Sequence, residues 1–151
     1  GRVIKEGSVS FLEVLSEDVP YKGGTVDVLI RVTVFSGVRN AKVEVTALSD
    51  QEVQFVTGLN HRKDEEWSSE ENYLVSWAPT GGKVAIGKID VGAAVLFTPD
   101  DFENRINDEA QEILISKPCK TLEYWVTSAN SEESEINTMK AFEHFVDTAR
   151  D

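Results

Sequence analysis

One histidine of this 151-residue chain lies in a short cationic segment, residues 58–63, which reads GLNHRK. An imidazole near its ordinary pKa can donate or accept a proton at neutral pH. His61 is therefore the leading candidate for a catalytic acid or base, and an exposed loop histidine without a function is an equal alternative. The neighbouring cations Arg62 and Lys63 are candidate substrate-binding residues.

A second candidate catalytic residue is Arg31, in the alternating segment VDVLIRVTVF at residues 26–35. Arg31 lies on the less apolar face of this predicted strand, where a guanidinium could hold a carboxylate by two parallel hydrogen bonds. A cross-strand partnership with Glu44 is the alternative, and the pattern favours it.

Three aromatic residues, Trp77, Tyr124 and Trp125, fall within predicted strands and are candidate saccharide-binding residues. Sugar rings stack their C–H faces on such side chains, which combine an apolar surface with a polar group. Core packing is the favoured alternative for each. Because successive strand residues point to opposite faces, Tyr124 and Trp125 cannot both face one cleft.

The sequence predicts neither a metal site nor a cofactor. The two histidines, His61 and His144, lack the paired spacing of a zinc site. The acidic residues 64–66 and 100–101 do not follow the twelve-residue calcium loop and are interpreted as solvated charge.

Composition narrows the classes of partner. The chain has 15 Lys plus Arg against 27 Asp plus Glu, a formal charge of -12. Phosphate backbones and anionic lipids would repel such a chain, and its apolar runs are shorter than the roughly 20 residues of a membrane helix. We therefore expect no nucleic-acid or membrane partner. The length predicts a single domain, residues 1–151, which could be a fragment of a longer one.

Strict alternation predicts a hairpin between residues 26–35 and 41–48, with Val32 opposite Val45 and Val34 opposite Val43. Residues 81–83 predict a hairpin turn and residues 60–72 a long polar loop. Further short strands are predicted at residues 9–15, 53–57, 73–77, 84–89, 91–98, 113–116 and 122–128.

A helix is predicted at the C-terminal end. Residues 130–133, NSEE, have the form of a helix N-cap, and an apolar stripe follows at Ile136, Met139, Phe142, Phe145 and Val146. Many short strands with one amphipathic helix indicate an all-β fold. We expect an antiparallel β-sandwich with this helix packed on a sheet.

The order of segments resembles the C-terminal half of an uncharacterised bacterial domain family. The segments are TVDVLIRVTVFSGVRNAKVEV, FVTGLNHRK, YLVSWAP, VGAAVLFTPDD and KTLEYWVTSA, followed by the amphipathic helix. That family is found among polysaccharide-utilisation genes, near uronate-degrading enzymes, and looks like the galactose mutarotase-like supersandwich. The resemblance implies a saccharide ligand, a periplasmic or secreted location, and a cleft bordered by Arg31, residues 61–63, Trp77 and Tyr124 or Trp125.

The leading functional hypothesis is a carbohydrate-associated β-sandwich that binds or processes a saccharide, including one with uronic acid units. If it is an enzyme, His61 would move a proton while Arg31 neutralises a carboxylate. A non-catalytic binding module is an alternative. Another is a structural half-domain that pairs with a missing N-terminal half or forms a homodimer through an exposed sheet edge.

Overall fold

The computed structural model describes residues 1–80 and 89–149, and these residues form two antiparallel sheets and one α-helix. The turn predicted at residues 81–83 and the strand predicted at 84–89, apart from Ile89, lie outside the described residues. The predicted fold class, an antiparallel β-sandwich with a C-terminal helix, is confirmed.

The larger sheet has eight strands in the order β1-β2-β3-β4-β11-β8-β7-β6. Every pairing in it is antiparallel. Its strands are β1 (Arg2–Glu6), β2 (Val9–Tyr21), β3 (Gly24–Phe35), β4 (Ala41–Leu48), β6 (Glu66–Ser69), β7 (Tyr73–Pro79), β8 (Asp90–Leu96) and β11 (Thr121–Asn130).

The smaller sheet, in the order β5-β10-β9, consists of β5 (Val56–Asn60), β10 (Gln111–Ser116) and β9 (Phe102–Asn107). It covers one face of the large sheet, which we call the inner face. The predicted apolar side of β3 lies here: Val26 is buried, and Val28, Ile30 and Val32 pack beside it. A neighbouring cluster joins β7 and β8 to β10 through Leu74, Val95, Phe97 and Leu114.

The opposite, outer face is covered in part by the helix α1 (Met139–Thr148). Phe142 and Val146 are completely buried against Trp77, Ala94 and other side chains of β7, β8 and β11. The predicted apolar stripe therefore packs on a sheet as expected. No helix in the part of the chain that the structure describes is long and apolar enough to cross a membrane.

The predicted β3–β4 hairpin forms, but the predicted register was wrong by two residues. Val32 lies opposite Val43, and Ile30 lies opposite Val45. The strand ends at a tight turn in which the Val38 N–H donates to the Phe35 carbonyl and Gly37 has a φ of 76°. Each β3 residue therefore pairs with a β4 residue two positions earlier than predicted, because the connection across residues 36–40 is shorter than the prediction assumed.

The helix begins later than predicted. Thr138 is its N-cap and accepts from the Ala141 N–H, whereas residues 130–133 form a turn. The Asn130 side chain accepts from the Glu132 N–H, and the Glu133 carboxylate accepts both from the Asn130 N–H and from Arg39. These local bonds satisfy the backbone without a helix, because a side chain can replace the helical partner.

Sequence patterns missed three strands, β1, β6 and β9, and β6 lies inside the predicted loop at residues 60–72. The β1–β3 end of the large sheet also exposes apolar side chains on its inner face, including Leu12, Val14 and Val34. Pairing with a second chain or a missing half stays a prediction.

The close packing of α1 on the large sheet depends on Gly92. A Cβ built on Gly92 of β8 would lie 2.6 Å from ring atoms of both Trp77 and Phe142. We expect Gly92→Ala to lower the free energy of unfolding by about 1–3 kcal/mol, because the buried rings must shift. Gly24→Ala, where the nearest atom is a carbonyl oxygen at 3.8 Å, is the matched control. Equal stability of the two variants in urea unfolding would contradict the prediction.

Candidate functional site

The large sheet separates the residues that the sequence placed in one cleft. Arg31 lies on the outer face of β3, whereas His61 contacts Trp67, a residue on the inner side of β6. Four strands stand between β3 and β6, which corresponds to about 24 Å at the usual strand spacing. One sugar ring cannot contact both residues, so the structure does not bring together the expected pair of His61 and Arg31.

Arg31 is held by a carboxylate of its own sheet. Its Nε and one terminal nitrogen donate to Glu13 Oε1 at 2.9 and 2.5 Å, and its guanidinium lies 4.9 Å from the Phe11 ring centre. Glu44 lies opposite Arg31 in the register, as the alternative interpretation expected, but the ion pair forms with Glu13 on β2.

His61 lies in a hydrogen-bonded cluster with two acceptors. Its Nδ1 lies 2.5 Å from Glu65 Oε1, and its Nε2 lies 2.8 Å from Asn107 Oδ1. The other oxygen of Glu65 accepts from the Ser76 hydroxyl at 2.8 Å. Glu65 belongs to the run interpreted as solvated charge, yet its side chain is only 8 % exposed. That interpretation was wrong for Glu65, since the carboxylate is bound inside the fold.

This cluster favours a charged imidazole and a charged carboxylate. The hydrogen bond to Asn107 raises the pKa of His61; burial opposes this effect, and the Glu65 hydrogen bond and charge reinforce it. Burial alone would raise the pKa of Glu65. Hydrogen bonds from Ser76, the Arg62 backbone and His61 outweigh that burial and lower the pKa. Both ring nitrogens of His61 face acceptors, so the cluster holds the imidazole in place.

Little space exists beside His61 for a ligand. The gap lined by His61, Trp67, Ser76 and Glu112 measures about 10 Å³, on the order of one water molecule. Arg62 donates to the Ser76 hydroxyl and to the Val91 carbonyl, and therefore braces the loop against β7 and β8. Lys63 lies in the adjoining exposed turn.

Trp77 packs in the core. It is 6 % exposed, and its ring centre lies 5.8 Å from that of Phe142. This placement matches the alternative that the sequence favoured for Trp77. The indole supports the helix and offers no exposed face to a saccharide.

A cavity of about 270 Å³ lies on the outer face, where α1 ends against the large sheet; we call it the helix-end cavity. A single row of paired residues crosses the sheet beneath it, with Tyr73 on β7, Leu96 on β8 and Trp125 on β11. The full lining comprises Val38, Asn40, Asn72, Tyr73, Leu96, Phe97, Thr98, Glu123, Tyr124, Trp125, Val146 and Ala149.

Both candidate aromatics of β11 border this cavity, but their side chains lie on different faces of the sheet. Tyr124 packs with the inner clusters, whereas Trp125 packs beside the outer, helix-covered cluster. Trp125 is therefore the residue whose ring can face a ligand in the cavity. The indole also lies 6.0 Å from the Phe35 ring centre, which limits its movement.

Asn40 lines the cavity, and its side-chain oxygen is a buried atom behind the wall. The residue is 8 % exposed, and its Oδ1 accepts no hydrogen bond from the described residues. The buried Thr127 hydroxyl also has no partner among them. This hydroxyl lies near Asn40. Ala41 pairs with Val126 between β4 and β11, and Asn40 and Thr127 are the chain neighbours of that pair. An unpaired buried polar atom costs about 1–3 kcal/mol.

Tyr73 supplies a phenol that stays protonated. Its burial and the charges of Glu143, Glu70 and Asp147 raise the pKa of Tyr73 to about 12. The hydroxyl lies 3.3 Å from Glu143 Oε1. At neutral pH Tyr73 therefore serves the cavity as a hydrogen-bonding group.

Sequence reasoning missed Asn40, Asn72, Tyr73 and Glu123. Asn40 belonged to a predicted turn, and nothing in a turn pattern shows that its side chain will be buried beside a cavity. One available signal was the Tyr73 position at the start of a strand whose residues are apolar on both faces, which is typical of a strand buried from both sides. No group of three residues that could bind a metal ion occurs among residues 1–80 and 89–149.

These features define a two-layer β-sandwich with a single cavity-forming helix. Residues 2–151 match the family model described as "Domain of unknown function (DUF4861)". The chain therefore belongs to that family, and the expected membership in an uncharacterised domain family is confirmed. No curated protein matches the chain.

The His61 cluster predicts a pH-dependent stability. A raised pKa means that the His61 contribution is complete below the ordinary value of 6.5 and is lost as pH rises through the folded value. The Glu65 contribution is complete above its ordinary value of 4.5 and is lost as pH falls through its lowered one. We expect His61→Gln to cost about 1–2 kcal/mol near pH 5.5 and less by pH 8.

Urea unfolding at a series of pH values measures this cost. The matched control is His144→Gln, because His144 is an exposed residue of α1. A cost for His61→Gln that stays constant from pH 5.5 to 8 would show that the imidazole charge does not contribute.

Proposed function

We propose that this protein binds a saccharide, with the helix-end cavity as the site. The observation that carries the proposal is a ring-sized hollow lined by an indole, a phenol and an amide side chain, those of Trp125, Tyr73 and Asn40. Apolar surface and a few fixed polar groups are the combination that small-molecule sites use.

The volume favours one sugar unit. At about 270 Å³ the cavity lies just below the range of ordinary ligand sites, which begins near 300 Å³. A single pyranose, or the end of a chain, fits this description better than a long segment of polysaccharide. Trp125 would stack against the C–H face of the ring, while Tyr73 and Asn40 would hold its hydroxyls.

The arrangement supports binding more than proton transfer. His61, the expected acid or base, lies on the inner side of the sheet and has both nitrogens engaged. Tyr73 keeps its proton at neutral pH. The Glu123 carboxylate is half exposed and is held by Lys42, whose Nζ lies 2.9 Å from Glu123 Oε2. We therefore propose the binding-module alternative ahead of the enzyme.

The resemblance drawn from the sequence supports the choice of ligand. It implies a role in bacterial glycan degradation and a mutarotase-like supersandwich, and both are part of this proposal. A sandwich with a partly buried indole in a surface cavity is compatible with such a role. The two-layer fold itself would equally serve other ligands, so the chemistry of the cavity carries the argument.

Intrinsic fluorescence and NMR titration with methyl glycosides of common hexoses test the proposal. We expect Trp125→Leu to weaken binding at least tenfold, because the variant keeps apolar volume but loses the aromatic face. Trp67→Leu is the matched control, since that indole is 46 % exposed and lies outside the cavity.

Thermal unfolding of each variant must accompany the titration, so that lost binding is not confused with lost folding. Binding that survives Trp125→Leu in a folded variant would exclude the cavity as the site. Failure of every hexose to shift a resonance of the cavity residues would also exclude the cavity as the site.

A further inference from the structure

We infer that the helix-end cavity selects uncharged saccharides and rejects uronates, because the charge around its wall is net negative. This inference rests on the proposed saccharide site and names the class of sugar that the site would take. It narrows the sequence-based expectation, which included uronic acids.

The charge on the cavity wall is negative. Among the described residues that line the cavity, Glu123 is the one with a charged side chain. Lys42 binds Glu123, but Glu44 also lies 3.4 Å from the same ammonium. Two carboxylates therefore share one cation, and the group keeps a net negative charge.

The surroundings of Tyr73 add further negative charge. Its hydroxyl contacts Glu143, and the charges of Glu70 and Asp147 also act on it. Such a surrounding disfavours the approach of an anion.

The nearest cation along the chain is already engaged. Arg39 lies between the lining residues Val38 and Asn40, and its guanidinium forms two parallel bonds with the Glu133 carboxylate at 3.0 and 2.5 Å. It also lies 5.8 Å from the Phe145 ring centre. Binding a uronate through Arg39 would require breaking this bidentate pair, whereas a uronate site normally presents a guanidinium that is available.

The hydrogen-bonding groups on the cavity wall also favour an uncharged sugar. The Glu123 carboxylate accepts from Lys42 and keeps further lone pairs for a donor from the ligand. A hydroxymethyl group can donate a hydrogen bond. An ionised carboxylate at the same position of a uronate has only acceptors, so beside Glu123 it would meet a like charge with no proton between the two groups.

Matched pairs of sugars test the inference, because the members of each pair differ only at that position. Methyl galactoside and methyl galacturonoside form one pair, and methyl glucoside and methyl glucuronoside form the other. Titration of the isotope-labelled protein at pH 7 and low salt gives both affinities. We expect the neutral member of at least one pair to bind ten or more times more tightly than its uronate.

The outcomes distinguish this inference from the proposed function. Equal or tighter binding of the uronates at the cavity would overturn the selectivity and leave the saccharide site standing. Absence of binding by every sugar would overturn both.

Charge variants provide a second readout. Glu123→Gln should narrow the neutral-to-uronate affinity ratio at least threefold, because it removes the carboxylate that lines the cavity. Glu109→Gln changes the net charge equally at an exposed turn between β9 and β10, and it should leave the ratio unchanged. A ratio that responds equally to both variants would assign the effect to overall charge and contradict the inference.

Asn40→Leu tests whether the Asn40 amide belongs to the site. The amide oxygen has no partner among the described residues, so an apolar replacement of similar size should preserve folding while it weakens the neutral sugar at least fivefold. Undiminished binding by a folded Asn40→Leu protein would remove Asn40 from the site.

Discussion

The fold depends on the burial of β7, β8 and β11 from both sides. The small sheet covers their inner face, and α1 covers their outer face. On β7 the six residues from Tyr73 to Ala78 are all buried, although alternate side chains point in opposite directions. Apolar burial is the main favourable term in folding, so this three-strand centre fixes the two layers and the helix relative to one another.

A sheet of this kind also acts as a partition. Because successive side chains alternate, neighbouring residues of one strand lie on opposite faces of the sheet. Two residues that are adjacent in sequence therefore need not share a site. Tyr124 and Trp125 are adjacent on β11, yet the Tyr124 ring packs in the inner core and the Trp125 ring packs on the outer face. The same geometry places the His61 cluster on the opposite side of the sheet from Arg31.

Sequence patterns could predict the faces of the strands but not the larger arrangement. Period-two spacing correctly identified Val26, Val28, Ile30 and Val32 as core residues, because alternation depends only on local backbone geometry. The β3–β4 register depended on how many residues the turn absorbs. The helix start depended on Arg39, which binds Glu133 from more than ninety residues away in sequence. Asn40 lines a cavity with residues from distant segments, and Glu65 accepts from Ser76 on the following strand. The periodicity of a single segment contains neither contact.

The close seat of α1 on Gly92 has a consequence for any molecule in the cavity. Val146 and Ala149 form part of the wall, so the shape of the hollow follows the docking of the last helix. A ligand held between this wall and Trp125 would act as a bridge that makes helix detachment less favourable. A bound ligand would then slow amide hydrogen exchange along α1, and Gly92 would influence affinity without contacting the ligand.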